Sequence, residues 1–507
     1  MAKLGKIARA SMLLMIGSVL SKILGFAREL LVAYLFGATS ISDAFVLTNS
    51  IPTLIFVALA TAININFIPF YHRIETEDGK NKFTSNLVNL SIVAMLIGCL
   101  LVNAFPRLVL KVFALGLPQD TENYSVLMLR IVIFSIIPII LSYIFQALLQ
   151  ANEKFVSTAL FGIVSNIAII VFTFIAKEET YYLLSVGTIA ANALGLIPIM
   201  IEVKKKTSYQ YKPYMNIKDD QIKDLVLLTA PLLVESLASS LSLIVDRNLA
   251  SFLDEGTISG LGYAGTIGNV AVTMIATAIM TATFPAFSKM LAKGEKEEFA
   301  NQFERYASVI SYLLAPISVF MIVEAFDIVE LIYEHGAFDS VATVIVAQSM
   351  ICYSVGAVPN GVQWYLIRGF YAMQDTKTPV IIKVVSLVIN IVLNIISVRF
   401  IAHMGIALST SISYLVAYLA LAICLKKKYK INTVDRILFE SLISVVLSAV
   451  AGVAVFFLFG RLIELPNLYM KLPVALLTFG VLYLGMIIVF RKSKWNDILS
   501  VIKRKGE

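Results

Sequence analysis

The residues best suited to do chemistry are charges standing inside apolar runs. Lys22, Arg28 and Glu29 interrupt the first long hydrophobic segment, Asp43 opens the next, and Asp246 and Arg247 lie near the end of a later one. Lys22, Gly25 and Glu29 fall at i, i+3 and i+7 on one helical stripe, with Arg28 one position round. A charge at bilayer depth costs about 2.5–3.5 kcal/mol even on the lenient insertion scale, so such residues face a bundle interior or a wet cavity. Two cations near mid-span, only partly offset by Glu29 and Asp43, suit an anionic substrate group such as a phosphate.

A second pattern is polar stripes. Glu235, Ser239, Ser242 and Asp246 recur at intervals of 4, 3 and 4; Lys383, Ser386, Asn390, Asn394 and Ser397 recur at 3, 4, 4 and 3; Ser409, Thr410 and Ser411 follow. Hard oxygen donors of this kind suit a small hard cation. The same Ser, Thr and Asn side chains equally serve as glue between helices, at about 0.6 kcal/mol each, and Asp246 with Arg247 equally makes a plain ion pair. Arg130 and Arg368 lie close to helix ends, within reach of a membrane surface.

The elements that must position these groups are transmembrane helices. Hydrophobic residues make up 59% of the 507, charged residues only 15%, and mean hydropathy is +0.85, which excludes a soluble domain. Runs of roughly 20 apolar residues predict fourteen helices, over 8–34, 41–71, 84–105, 122–149, 156–176, 180–202, 225–252, 258–290, 304–334, 341–373, 379–401, 405–426, 437–460 and 470–490. The fold class is an all-α polytopic membrane protein. A net charge of +8 invites a nucleic-acid reading, but the bases alternate by loop, which excludes it. Lys3, Lys6 and Arg9 precede the first helix, Lys204 to Lys206 follow the sixth, Lys426 to Lys428 follow the twelfth, and Arg491, Lys492, Lys503, Arg504 and Lys505 close the chain. The odd-numbered loops instead carry Glu178-Glu179 and Asp254-Glu255. The positive-inside rule then puts both termini in the cytoplasm. The first segment is too long, and too polar at Lys22 and Arg28, for a cleaved signal peptide. Cys99, Cys352 and Cys424 lie within predicted spans as small packing residues, without redox or metal spacing.

Internal repeats are weak but consistent. Ser40-Ile41-Ser42 resembles Thr257-Ile258-Ser259, Phe67-Ile68-Pro69-Phe70 resembles Phe284-Pro285-Ala286-Phe287, and Ala151-Asn152-Glu153-Lys154 resembles Gln374-Asp375-Thr376-Lys377, all at offsets near 220. The expected organisation is an N-lobe of six helices at 1–203, a basic cytoplasmic linker at 204–224, a pseudo-symmetric C-lobe at 225–430, and two extra helices with a basic cytoplasmic tail at 431–507. Twin bundles across a central cleft are the architecture of alternating access.

Ser21-Lys22-Ile23-Leu24-Gly25-Phe26-Ala27-Arg28-Glu29, Phe36-Gly37-Ala38, Ser42-Asp43-Ala44-Phe45 and Phe370-Tyr371-Ala372-Met373-Gln374-Asp375-Thr376-Lys377-Thr378-Pro379 resemble the MurJ (MviN) family of lipid II flippases, within the multidrug/oligosaccharidyl-lipid/polysaccharide exporter superfamily. The resemblance covers nearly the whole chain. It implies fourteen helices, a V-shaped pair of lobes, and a hydrophobic groove from helices 13 and 14 for a polyprenyl tail. The implied substrate is undecaprenyl-pyrophosphate bearing a disaccharide-pentapeptide. By position it assigns substrate contact to Lys22, Arg28 and Asp43, beside Glu29 and Arg247, and a sodium site to Asp246, Asn390, Asn394, the Ile406 carbonyl and Thr410. Asn394 stands where the family can have a carboxylate. Phe56 and Thr266 stand where cavity arginines are usual, so that either Arg247, Arg130 or Arg368 compensates or the cargo is a different lipid-linked glycan.

The expected function is therefore flipping of the peptidoglycan precursor from the inner to the outer leaflet of a bacterial cytoplasmic membrane, with no covalent step and no cofactor beyond sodium. Membrane lipids and cell-wall synthases are the expected partners. The alternatives are a flippase for another lipid-linked oligosaccharide, such as a capsule, teichuronic or O-antigen precursor, an ion-coupled drug exporter, and a membrane-embedded glycosyltransferase or ligase. The last would need a catalytic group in a sizeable outer loop, where His335 and His403 stand isolated.

Overall fold

The computed structural model describes residues 2–154, 156–459, 463, 465 and 467–503, with the side chains of 2–16, 58, 159, 229–239 and 501–503 set aside. Glu235, Ser239, Lys3, Gly5, Lys6 and Arg9 therefore lie outside the described side chains, and Arg461, Arg504 and Lys505 outside the described residues. No strand occurs among the described residues. The helices are α1 (Ala2–Phe36), α2 (Ser40–Pro52), α3 (Ala58–Arg73), α4 (Glu77–Ala104), α5 (Pro106–Phe113), α6 (Gln119–Val132), α7 (Ile136–Ala151), α8 (Val156–Ile175), α9 (Leu183–Lys206), α10 (Asp220–Ala250), α11 (Thr257–Ala292), α12 (Lys296–Val323), α13 (Ala325–Tyr333), α14 (Ser340–Val355), α15 (Ala357–Ala372), α16 (Lys377–Tyr429), α17 (Val434–Phe457), α18 (Leu468–Phe490) and α19 (Lys492–Lys503).

Ten helical stretches among the described residues are long and apolar enough to cross a membrane, eleven if α14 and α15 are one bent span. This does not establish fourteen. The ten leave out α1 and α10, which contain the undescribed side chains of 2–16 and 229–239, and α16 counts once although its 53 residues would extend about 80 Å against a hydrocarbon core of about 30 Å. That helix breaks where it must: Ile401 and Ala402 leave helical geometry, Ala402 at φ +45°, dividing the segments expected at 379–401 and 405–426. Two short amphipathic helices escaped the sequence reading. These are α5, after the third expected span, and α13, which the apolar run at 304–334 concealed because its last turns are apolar too.

The chain packs as two compact units, residues 1–259 with 336–338, and residues 260–335 with 339–507. In the first, α1 lies on α8 through Asn166, whose amide donates to Ser21 O at 3.0 Å and Gly162 O at 2.8 Å. The linker expected at 204–224 is not slack. After α9 it runs extended along α4, with Lys212 N on Ser85 Oγ at 2.9 Å, Asn216 N on Asn86 Oδ1 at 2.7 Å and Asn86 Nδ2 on Asn216 O at 3.0 Å. Asp219 then caps α10, its Oδ1 accepting from Gln221 N at 3.0 Å.

In the second unit the two extra helices are fastened to α12 by a buried polar network. Tyr312 donates to Glu440 Oε2 at 2.9 Å, Arg491 pairs with the other Glu440 oxygen, and Tyr483 donates to Tyr312 O at 2.9 Å. The expected basic tail begins as a docked helix. Lys494 of α19 meets Glu304 at 2.8 Å and Asp497 meets Arg305 at 2.6 Å, over buried Ile498.

Ala402 carries backbone strain, since an L-residue at φ +45° and ψ −128° is held against its own preference at a cost of roughly 1–3 kcal/mol. Replacing it with glycine removes that strain at a smaller entropic loss of about 0.5–1 kcal/mol. Ala402→Gly is expected to raise the unfolding transition of the purified protein, read by thermal denaturation.

Candidate functional site

The candidate site is built on α1. Asn166 holds the Ser21 and Gly25 side of that helix against α8, and a Cβ added at Gly25 would lie 3.6 Å from Asn166 Oδ1, an ordinary contact. That fixes the rotation of α1. Lys22, next to Ser21, is turned outward and exposed, while Arg28 and Glu29, two turns on, are half-buried. No carboxylate lies within ion-pair distance of Lys22 among the described residues. The polar stripe read from the sequence is thus present, with its packing edge on α8 and its cationic edge accessible.

Asp43 departs from the expectation of a cavity acid. It is 4% exposed and fully engaged: Oδ2 accepts from Gly256 N at 2.9 Å, and Oδ1 accepts from Ser259 N at 2.7 Å and Ser259 Oγ at 2.6 Å. These are first-turn donors of α11, the N–H groups that a helix cannot satisfy internally. Glu255 returns the favour, its Oε1 accepting from Ser40 N, the first residue of α2, at 2.6 Å. Ser42 Oγ meets Ser259 Oγ at 3.3 Å between them. The two segments that looked like repeats of each other, Ser40-Ile41-Ser42 and Thr257-Ile258-Ser259, are therefore each bonded by the carboxylate flanking the other, Glu255 and Asp43. Gly256, at φ +81°, lets the Ala38 carbonyl pass where a Cβ would stand.

Arg247 reaches α2. Its Nη1 donates to Val46 O at 2.8 Å and to Ser50 Oγ, tying α10 to α2. The neighbouring Asn248 takes the end of α5, donating to Val112 O at 2.9 Å and accepting from Leu115 N at 3.1 Å.

The oxygen-rich stripe of α16 folds onto itself across the break at Ile401–Ala402. Asn394 Nδ2 donates to Asn390 Oδ1 at 3.2 Å, Asn390 Nδ2 to Thr410 Oγ1 at 3.4 Å, and Thr410 Oγ1 to Ile406 O at 3.1 Å. Ser397 and Ser409 lie 2.9 Å apart. The donor chemistry suits a hard cation, but Asn390 Oδ1, Thr410 Oγ1 and the Ile406 carbonyl each already receive a hydrogen from a neighbour. This is the interhelical glue reading, and an ion would have to displace it. Asp246 belongs to the other unit. Among the described residues no cluster of three or more His, Cys, Asp or Glu could hold a metal. Phe56, where an arginine is usual, packs its ring against Gly98 of α4.

The motif at 370–379 has a structural explanation. Asp375 receives Lys428 Nζ at 2.7 Å, Tyr429 OH at 2.7 Å, Thr378 Oγ1 at 2.6 Å and Thr378 N at 3.1 Å. One carboxylate thereby clasps both ends of α16. In the first unit Glu202 does the corresponding work, accepting from Ser157 N at 2.8 Å and Lys206 at 2.7 Å to join the ends of α8 and α9.

Comparison with known proteins bears on the whole chain. The family model described as "Lipid II flippase MurJ" matches residues 32–488. The "Probable lipid II flippase MurJ" of Rickettsia prowazekii is 28% identical over 414 residues, 80% of this chain and 81% of that one. The "Lipid II flippase MurJ" of Burkholderia cenocepacia is 26% identical over 424 residues, 81% of this chain and 82% of that one. Among solved structures, "Lipid II flippase MurJ, inward closed conformation" superposes with a TM-score of 0.82 at 26% identity, over 95% of this chain and 99% of that one. An inward-facing multidrug resistance transporter of the MATE family shares the fold alone, with a TM-score of 0.68 at 13% identity over 82% of this chain and 96% of that one.

Two outcomes are expected. Asp43→Asn replaces an acceptor of three hydrogens by an amide whose NH₂ faces N–H donors, and should destabilise the protein by roughly 2–4 kcal/mol, seen as a lower unfolding transition. For Asp375, burial works against the charged form, but hydrogen bonds from Lys428, Thr378 and Tyr429 prevail and hold its carboxyl well below the usual carboxylate range. A depressed folded-state pKa gives stability that is complete above the unfolded value of about 3.9 and lost as pH falls toward the folded one. The stability difference between wild type and Asp375→Asn should accordingly stay constant from neutral pH down to about 5 and shrink below about 4, as read by denaturation across pH.

Proposed function

Because this chain belongs to the MurJ lipid II flippase family, we propose that it carries lipid II, an undecaprenyl-pyrophosphate-linked disaccharide-pentapeptide, from the inner to the outer leaflet of a bacterial cytoplasmic membrane. The observation that carries the reading at the level of the site is exposed Lys22, which has no carboxylate at ion-pair distance among the described residues, on the same helix as half-buried Arg28. A pyrophosphate has the charge and the acceptor oxygens that an ammonium and a guanidinium bind together, with Glu29 limiting the excess of positive charge. The prenyl tail would stay in lipid along the apolar outer faces of α17 and α18, where Leu442, Val446, Val450, Leu477 and Val481 are exposed. Only the sugar and peptide need a wet path.

The starts of α2 and α11, both within the first compact unit, are joined by the reciprocal caps of Asp43 and Glu255. These caps are charge-assisted, short and specific, yet every group involved can be taken over by water at a membrane surface, so the contact is firm and reversible. Arg247 steadies α2. In this reading Asp43 and Arg247 govern the cycle, and Lys22 and Arg28 hold the cargo. Nothing covalent happens, both termini are cytoplasmic, and cell-wall synthases receive the product. A sodium ion at Asp246, Asn390, Asn394, the Ile406 carbonyl and Thr410 is a separate proposal, resting on the oxygen chemistry of those groups, and no step here runs through it. Neither a drug exporter nor a glycosyltransferase is favoured by any observation on the site.

The decisive experiment is complementation of cells depleted of their own lipid II flippase. Wild type and Lys22→Arg are expected to restore growth. Lys22→Ala and Arg28→Ala, at equal membrane abundance, are expected to lose roughly 1.5–3 kcal/mol of head-group binding each and to fail. Full rescue by both alanine variants would remove the proposed role of these cations.

A further inference from the structure

Both units interrupt one helix at the same repeat position, and for the same chemical reason. Pro138 and Pro359 stand 221 residues apart, and each lacks the N–H that would have bonded the carbonyl four residues earlier, Phe134 O or Val355 O. In the first unit the outcome is a 3₁₀ turn at Ile133–Ser135 between α6 and α7. In the second it is a 45° bend between α14 and α15 at Gly356. The same spacing relates Glu153 and Gln374, left-handed residues at φ +56° and +61° that end α7 and α15.

Backbone groups loosened at such a break need partners, because lipid offers none. The repeat supplies them unequally. Cys99 and Ser318, 219 residues apart, each point at the carbonyl one residue before the one that the proline frees, a carbonyl that also accepts a main-chain N–H, from Ile136 in the first unit and from Gly356 in the second. The Cys99 thiol reaches Ile133 O at 3.4 Å, and the Ser318 hydroxyl reaches Ser354 O at 2.5 Å. A thiol is a weak donor and a hydroxyl a good one. Each break has a further tie in the turn before it, from Asn103 Nδ2 to Arg130 O at 3.2 Å in the first and from Ser411 Oγ to Cys352 O at a shorter 2.6 Å in the second. Gly356 permits that approach, since a Cβ there would lie 2.6 Å from Ser411 Oγ. At the first break the positions that correspond to Ser411 and Gly356 are Ala190 and Ser135, so the extra hydroxyl is lacking.

We infer that these proline breaks are a pair of hinges of unequal stiffness, the one at Ile133–Ser135 loose and the one at Gly356 held, and that the loose one flexes during transport. The flexing rests on the transport reading above; the difference in stiffness does not.

The test is hydrogen exchange, followed by mass spectrometry, on the full-length protein in lipid nanodiscs, together with lipid II translocation by the same preparations. In wild type, amides of 133–138 should exchange faster than those of 354–359. Cys99→Ala should speed exchange at the first break alone by roughly two- to tenfold, the effect of one ordinary hydrogen bond, and Cys99→Ser should slow it. Ser318→Ala with Ser411→Ala should speed exchange at the second break alone. Pro138→Ala restores the missing N–H, and should slow both local exchange and translocation without lowering the unfolding transition. Equal exchange at the two breaks would overturn the unequal stiffness. Full translocation by Pro138→Ala with slowed exchange would overturn the hinge's part in the cycle. If Pro138→Ala does not fold, Cys99→Ser carries both readouts with the same expected directions. A wild-type protein that moves no lipid II counts against the transport reading alone.

Discussion

Inside a bilayer the main chain has no solvent to fall back on, and every helix end or break must find a partner within the protein. Much of the distinctive chemistry of this chain answers that constraint. Asp43 and Glu255 serve the first turns of α11 and α2. Asn248 serves the last turn of α5, and Arg247 reaches main-chain oxygens of α2. Cys99, Ser318 and Ser411 serve carbonyls beside the proline breaks. In each case a polar side chain of one helix completes the backbone of another, so that tertiary contacts and secondary structure stand or fall together.

The same constraint disciplines the charges. Glu440, Glu304, Asp375 and Glu202 are each met by a base and by hydroxyl or amide hydrogens, which is the condition under which a buried carboxylate is tolerable. These clusters fasten α17, α18 and α19 to α12, and close the ends of α16 and of the pair α8 and α9. Among the described residues Lys22, like Arg130, Arg368, Lys383 and Arg399, is an exposed cation with no carboxylate at ion-pair distance. A second, half-buried cation, Arg28, on the same helix is why α1 is read as the place where an anionic head group is held.

Duplication explains both the sameness and the difference of the halves. Pro138 and Pro359, Cys99 and Ser318, Glu153 and Gln374, and the short helices α5 and α13 keep their spacing. What diverged are the partners. A thiol faces a hydroxyl, Ala190 faces Ser411, and an acid at position 43 has glycine at 260 as its counterpart. Interchange between two states needs two units that are alike enough to exchange roles and unlike enough to do so in a preferred order.

By itself the sequence determined the class, the apolar segments and the repeat, because burial in lipid demands long uninterrupted apolar runs and leaves little freedom in where they begin and end. It also singled out Lys22 and Arg28, since charge within such a run is conspicuous. It could not say which polar residues were already spoken for. Asp43, Arg247, Asn390 and Asn394 looked like ligand groups from their type and spacing, and only the folded chain turned each toward a backbone or a neighbouring side chain. The breaks at Pro138 and Pro359 and the docking of residues 207–219 on α4 were equally hidden, because a hydrogen bond joins groups across many residues and leaves no periodic trace. Hydrophobicity is a property of a segment and can be read along the chain. The satisfaction of a polar atom depends on what lies within about 3 Å of it, and only the tertiary structure decides that.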